Sequence, residues 1–192
     1  MQITPNEAQE SLAAISSMMQ KVRRAVAAGG TQYFLILWGF VWLFGFLASQ
    51  FLSGKIAGYV WLGLDLLGGL ASFAIGLWLR RRVRNASVSV TGGRIALFWL
   101  TLFTYCMLAI WIAGPMNGKQ VAMFIIIFVL VGWMAMGFLL SISMVRVVLL
   151  VTAIAFGGYY LLPDYFYLCM AVLGGGTLIG CGLTIRFWWK LS

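Results

Sequence analysis

Six stretches of this chain are apolar over the length that crosses a lipid bilayer, and most charges lie outside them or at their ends. They run about Tyr33–Leu52, Ile56–Leu79, Ile95–Ala113, Val121–Ser141, Val145–Leu162 and Tyr165–Trp188. Each holds roughly 18–25 residues, enough to cross a hydrocarbon core of about 30 Å at about 1.5 Å per residue. In hydrocarbon the backbone must satisfy its own hydrogen bonds, so such segments fold as helices. The expected fold is all-α: a polytopic membrane bundle of six transmembrane helices forming three hairpins. Tight outer turns fall near Ser53-Gly54-Lys55, Pro115-Met116-Asn117-Gly118 and Pro163-Asp164.

The charges orient this bundle. Of 13 Lys and Arg residues, 11 fall on one side. Lys21, Arg23 and Arg24 precede span 1, and Arg80, Arg81, Arg82, Arg84 and Arg94 separate spans 2 and 3. Arg146 lies between spans 4 and 5, and Arg186 and Lys190 close span 6. Only Lys55 and Lys119 fall on the other side. The loops are short enough for the excess of positive charge to mark the cytoplasm, which places both termini there. The expected location is a bacterial cytoplasmic membrane. A charged fraction of 9% against an apolar fraction of 63% agrees, since soluble domains carry about 25% charged residues. The net charge of +9 belongs to this asymmetry rather than to a nucleic-acid surface, because no soluble domain is left to present a groove.

Residues 1–30 are expected to form a separate cytoplasmic amphipathic helix, with 31–192 forming the six-span domain. Thr4-Pro5-Asn6-Glu7 reads as a capping box with proline in the first turn, and Gly29-Gly30 as the break. Glu7 and Glu10 suit the positive end of the helix dipole, and Lys21, Arg23 and Arg24 the negative end. Ala8, Leu12, Ile15, Met19, Val22 and Val26 make a narrow apolar stripe without bulky aromatics. Three uses fit it: lying on the inner leaflet, docking on the chain's own cytoplasmic face or a second copy, and binding a cytoplasmic partner. The first thirty residues lack the apolar core of a cleavable signal peptide.

Spans 2 and 6 echo each other. Gly69-Leu-Ala-Ser-Phe-Ala-Ile-Gly76-Leu-Trp-Leu-Arg80 matches Gly175-Gly-Thr-Leu-Ile-Gly-Cys-Gly182-Leu-Thr-Ile-Arg186, with glycines seven apart and an arginine four beyond the second. Both spans also carry ladders of small residues at four-residue spacing: Gly68, Ser72 and Gly76, and Gly176, Gly180 and Thr184. Such ladders let helix backbones approach closely, which matters where lipid supplies no hydrophobic drive between helices. The layout is loosely similar to bacterial six-span families built from repeated hairpins, in layout alone.

Catalytic chemistry has little to work with. There is no histidine, no carboxylate pair and no nucleophile elbow or phosphate loop, and Cys106, Cys169 and Cys181 lie inside spans without metal-ligand spacing. No enzyme, cofactor or metal is expected. The one costly residue is Asp65, about nine residues and about 13 Å in from the outer end of span 2. A carboxylate near a span centre costs on the order of 2.5–3.5 kcal/mol, and low dielectric favours its protonated form. Helical spacing places it with Gly68, Gly69, Ser72 and Gly76, so it is expected to point into the bundle. No basic residue sits at its depth, which leaves Thr101, Thr104, Tyr105, Thr152 and Thr177 as candidate partners. It reads as interhelical hydrogen-bond glue, as a proton or cation site, or as a water-accessible carboxyl in a shallow outer vestibule.

Arg80, Arg81, Arg82 and Arg84 form a basic cluster just inside span 2, suited to anionic inner-leaflet lipid or an acidic partner. The stretch after it, Asn85 to Gly93, is expected to be a flexible or extended connector. Two functions follow. The first is a non-enzymatic accessory, regulatory or structural membrane subunit that meets a partner, another copy or anionic lipid through its basic face and N-terminal helix. The second is a small proton- or cation-coupled transporter or channel built around Asp65 and the glycine faces of spans 2 and 6.

Overall fold

In the computed structural model the described residues are 30–82, 86–140 and 142–188, and among them there is no strand. The N-terminal helix expected at 1–30 and Arg84 therefore lie outside the described residues, as do the side chains of Arg80 and Arg82. The helices are α1 (Thr31–Phe51), α2 (Gly54–Arg82), α3 (Ala86–Ala113), α4 (Gly118–Leu140) and α5 (Ile142–Leu161). A 3-10 turn at Pro163–Tyr165 then leads into α6 (Phe166–Cys169), a π-helical turn at Met170–Gly175 and α7 (Gly176–Trp188). Five segments are long and apolar enough to cross a membrane: Thr31–Phe51, Gly54–Leu79, Gly93–Ala113, Gly118–Phe138 and Pro163–Phe187. Val145–Leu161 is a shorter apolar helix.

Two features differ from the sequence expectation. The stretch read as a connector is helical from Ala86, continuous with α3. Its serines, valines and paired glycines are weak helix formers, but propensity is a small bias once a chain nears the membrane and must close its own hydrogen bonds. The last span, read as uninterrupted, contains the wide turn at Met170–Gly175. A π turn accommodates one extra residue, so it shifts the buried face along the chain. Phe166 is buried before it, Met170, Ala171, Gly174 and Gly175 within it, and Leu178 and Gly182 after it.

The turns that join α3 to α4 and α5 to the last segment are built locally. Gly114 adopts φ 84°, a left-handed conformation that suits glycine. The Gln120 amide N–H donates to Asn117 Oδ1 at 2.9 Å, and the Asn117 N–H donates to Gln120 Oε1 at 3.0 Å. This is a reciprocal cap at the start of α4. Lys119 Nζ donates to the Pro163 carbonyl at 2.6 Å, and Gln50 Nε2 to the Asp164 carbonyl at 3.0 Å. Side chains from α4 and α1 thus hold the turn that starts the last segment.

A single apolar core joins α1, α4, α5 and the last segment. It contains Leu35, Trp42 and Phe46, with Met123, Ile126 and Leu130, Val151 and Ala155, and Phe166, Met170, Ala171 and Leu178. Phe46 is its aromatic hub, 5.0 Å from Trp61, 5.6 Å from Trp42 and 6.4 Å from Tyr167 between ring centroids. Tyr159 and Tyr167 pack on this core, whereas Tyr160 and Tyr165 are exposed near the turn at Pro163–Tyr165. α2 lies against α1 and α3 against α4, while α2 and α3 touch only slightly. Consequently 33% of the apolar window is buried in α1, in α4 and in the last segment, but only 6% in α2 and in α3.

Candidate functional site

α1 meets α7 at backbone contact. A methyl group on Gly175 would lie 2.9 Å from the Gly39 carbonyl oxygen and 3.0 Å from the Leu43 nitrogen. One on Gly182 would lie 2.9 Å from the Gln32 carbonyl oxygen. The glycines seven apart in span 6 are therefore the ones that admit α1. The ladder at Gly176, Gly180 and Thr184 is exposed on the other side of α7, and methyl groups on Gly176 and Gly180 would meet nothing within 4 Å. The Thr184 hydroxyl donates to the Gly180 carbonyl of its own helix at 2.8 Å.

α2 uses a different face. Its packed stripe is Ala57, Trp61, Leu64, Gly68, Ser72 and Ile75, ending at Leu79 beside Gly30. Gly68 lies under Val41, where an added methyl would sit 3.2 Å from Cγ2. Two indoles tie the helices together: Trp38 Nε1 donates to Ser72 Oγ at 3.2 Å, and Trp61 Nε1 to Ser49 Oγ at 2.8 Å. The Trp61 ring covers Gly45, with a gap too small for a side chain at that position.

Asp65 lies beside this stripe and not within it. It is exposed, and among the described residues it makes no hydrogen bond or ion pair. This corrects the expectation that it points into the bundle. The spacing that groups it with Gly69 and Gly76 holds, but the face α2 turns to α1 is centred about one residue around the helix. The candidate hydroxyl partners do not reach it. Thr104, Thr152 and Thr177 donate to carbonyls four residues back in their own helices, at 2.9, 2.7 and 2.5 Å, and Thr101 and Tyr105 are exposed on α3.

Around Asp65 the surface of α2 is smooth. A methyl group added to Gly54, Gly58, Gly69 or Gly76 would meet nothing within 4 Å. At about 100° per residue these four glycines fall within about 40° of the Asp65 direction. Sequence reasoning grouped Asp65 with Gly68, Gly69, Ser72 and Gly76; of these Gly68 and Ser72 pack against α1, and Gly69 and Gly76 are open. Beyond the open glycines stand Leu62, Leu66, Leu70 and Phe73, each more than half exposed.

At the helix ends that carry the basic residues, Arg81, Arg94, Arg146 and Arg186 are all exposed. The buried core contains no polar or charged side chain, and no group of three or more Cys, Asp or Glu able to hold a metal occurs, both among the described residues. No protein-family model matches the chain, and no curated protein or solved structure is similar to it.

Proposed function

We propose that this chain is a non-enzymatic accessory or structural subunit of a bacterial cytoplasmic membrane that docks laterally onto another membrane protein through α2 and α3. In this reading Val145–Leu161 crosses the membrane with the five longer segments. The six spans form three hairpins, and both termini are cytoplasmic. The observation that carries it is the division of burial: α2 and α3 each pack along one stripe, only 6% of either apolar window is fully buried, and α2 holds an exposed carboxyl near its midpoint beside that stripe. Lipid alone covers apolar residues well but solvates a carboxyl poorly. A polar group from a neighbouring helix would cover it better. The exposed arginines give the cytoplasmic end an additional attraction for anionic lipid or an acidic partner.

A transporter built around Asp65 and the glycine faces draws less support. Alternating access is organised around polar groups between helices near the midplane, whereas the described core is apolar throughout and Asp65 stands outside it.

Photocrosslinking in native membranes tests the docking reading. A benzoylphenylalanine at Leu66 or Leu100, both exposed on α2 and α3, should give adducts with protein. The same probe at Phe138, exposed on α4, should give lipid adducts alone. Lipid adducts alone at Leu66 and Leu100 would overturn the proposal.

A further inference from the structure

The echo between spans 2 and 6 assigns corresponding positions to two helices with opposite fates. Placing Gly69 on Gly175 puts Asp65 on Ala171, Ser72 on Leu178 and Gly76 on Gly182. In the last span Ala171, Gly175, Leu178 and Gly182 are all buried, and Gly175 and Gly182 receive the backbone of α1. In α2 the matching glycines are open. The same small-residue pattern thus accepts a helix at one site and stands empty at the other.

Whatever occupies the α2 face must satisfy Asp65. Counting from Gly54 at about 1.5 Å per residue, the carboxyl sits about 16 Å along a helix whose apolar part is about 39 Å long, close to mid-membrane. A generic partner would need a polar group at that same depth. A second copy meets the requirement by symmetry, because a two-fold axis along the membrane normal brings each residue opposite itself at its own depth. Two protonated carboxyls are self-complementary, each donating one hydrogen bond and accepting one. The glycines at Gly58 and Gly69, one on each side of Asp65, provide the close approach that such a pair requires, as small residues do in other membrane helix dimers.

We infer that the protein forms a two-fold symmetric dimer in which α2 packs against α2 of a second copy, with Asp65 paired across the axis and Gly58, Gly69 and Gly76 lining the contact. The inference rests on the lateral-docking reading and names its partner. To the glycine-lined close approach seen where α1 meets the last segment, this pairing adds a hydrogen-bonded pair at its centre.

Subunit counting by single-molecule photobleaching in liposomes of increasing lipid-to-protein ratio provides the test. The wild type should show two subunits per spot, dissociating with dilution by mass action. Gly69→Ile should weaken dimerisation more than tenfold by holding the helices apart. Asp65→Leu should weaken it about tenfold through loss of the hydrogen bonds, and Asp65→Asn, which keeps a self-complementary side chain, should stay within about threefold of wild type. Gly69→Cys should form a disulfide-linked dimer on mild oxidation. A side chain at Gly69 enters open space, and Asp65 is exposed with no hydrogen bond or ion pair among the described residues, so each variant should unfold thermally at the wild-type midpoint in detergent as a monomer. A wild type that counts as one subunit at every lipid ratio overturns the dimer, and so does a dimer indifferent to both Gly69→Ile and Asp65→Leu. If crosslinks from Leu66 in native membranes then carry a protein mass other than this chain's, the docking reading stands and only its partner changes. Lipid adducts alone remove both.

Discussion

Glycines at matching positions of spans 2 and 6 do opposite work in this chain, and substitution separates them. At Gly175 a methyl group would press on the Gly39 carbonyl and the Leu43 nitrogen, which are backbone atoms that cannot swing aside. Gly175→Ala should therefore force α1 and α7 apart and cost about 1–3 kcal/mol. At Gly69 the same methyl enters open space. Gly69→Ala should leave the detergent-solubilised monomer unchanged or stabilise it by about 0.5–1 kcal/mol through helix propensity. Equilibrium unfolding of the two variants side by side checks the contrast, and equal effects would mean that the α1–α7 contact is not where the small residues matter.

Between elements, polar contacts set the register that apolar packing leaves loose. Trp61 meets Phe46 edge-to-face, covers Gly45 and donates to Ser49, so it joins α2 to α1 in three ways. Trp61→Phe keeps most of the ring and removes the donor. The expected loss is about 0.6 kcal/mol and no more than about 1.7 kcal/mol, the range measured for hydrogen bonds between membrane helices. Trp61→Ala also removes the ring and should cost at least about 3 kcal/mol. Steric-trap unfolding can resolve these values. A Trp61→Phe loss as large as that of Trp61→Ala would show that the hydrogen bond, not the ring, holds α2 in place. The start of α4 offers a second check: Asn117→Ala removes one side of the reciprocal cap with Gln120 and should cost about 1 kcal/mol by the same assay.

For the whole molecule the first quantity to establish is orientation. With both termini cytoplasmic, a cysteine at Pro115, exposed in the turn between α3 and α4, should react with a membrane-impermeant thiol reagent in intact cells. A cysteine at Ser87 should react only after the cells are opened. Cys106, Cys169 and Cys181 lie within the apolar segments and should stay unlabelled in both conditions. Labelling at Ser87 but not at Pro115 in intact cells would invert the topology and place the arginines outside.

Length and hydropathy were enough to locate five segments long enough to cross a membrane, because crossing hydrocarbon requires about twenty apolar residues and an internally bonded backbone; the sixth, expected at Val145–Leu162, is found as the shorter helix Val145–Leu161. Tyr33–Leu52 was expected where Thr31–Phe51 is found, and Val121–Ser141 where Gly118–Leu140 is found, so the ends differ by one to three residues. The sequence also singled out Asp65 as the costly residue and the glycines around it as a set. Which way they face was decided only in the tertiary structure. In a soluble helix the polar side would mark the exterior, but these helices are apolar all round, and lipid and protein interior look alike to a leucine. The choice between Gly68 and Gly69 as the packed glycine of α2 was settled by the shape of α1, with Val41 over one position and Trp38 and Trp61 holding the register. The choice of Gly175 and Gly182 over Gly176 and Gly180 followed from the π turn at Met170–Gly175, which shifts the buried face of the last span by one residue.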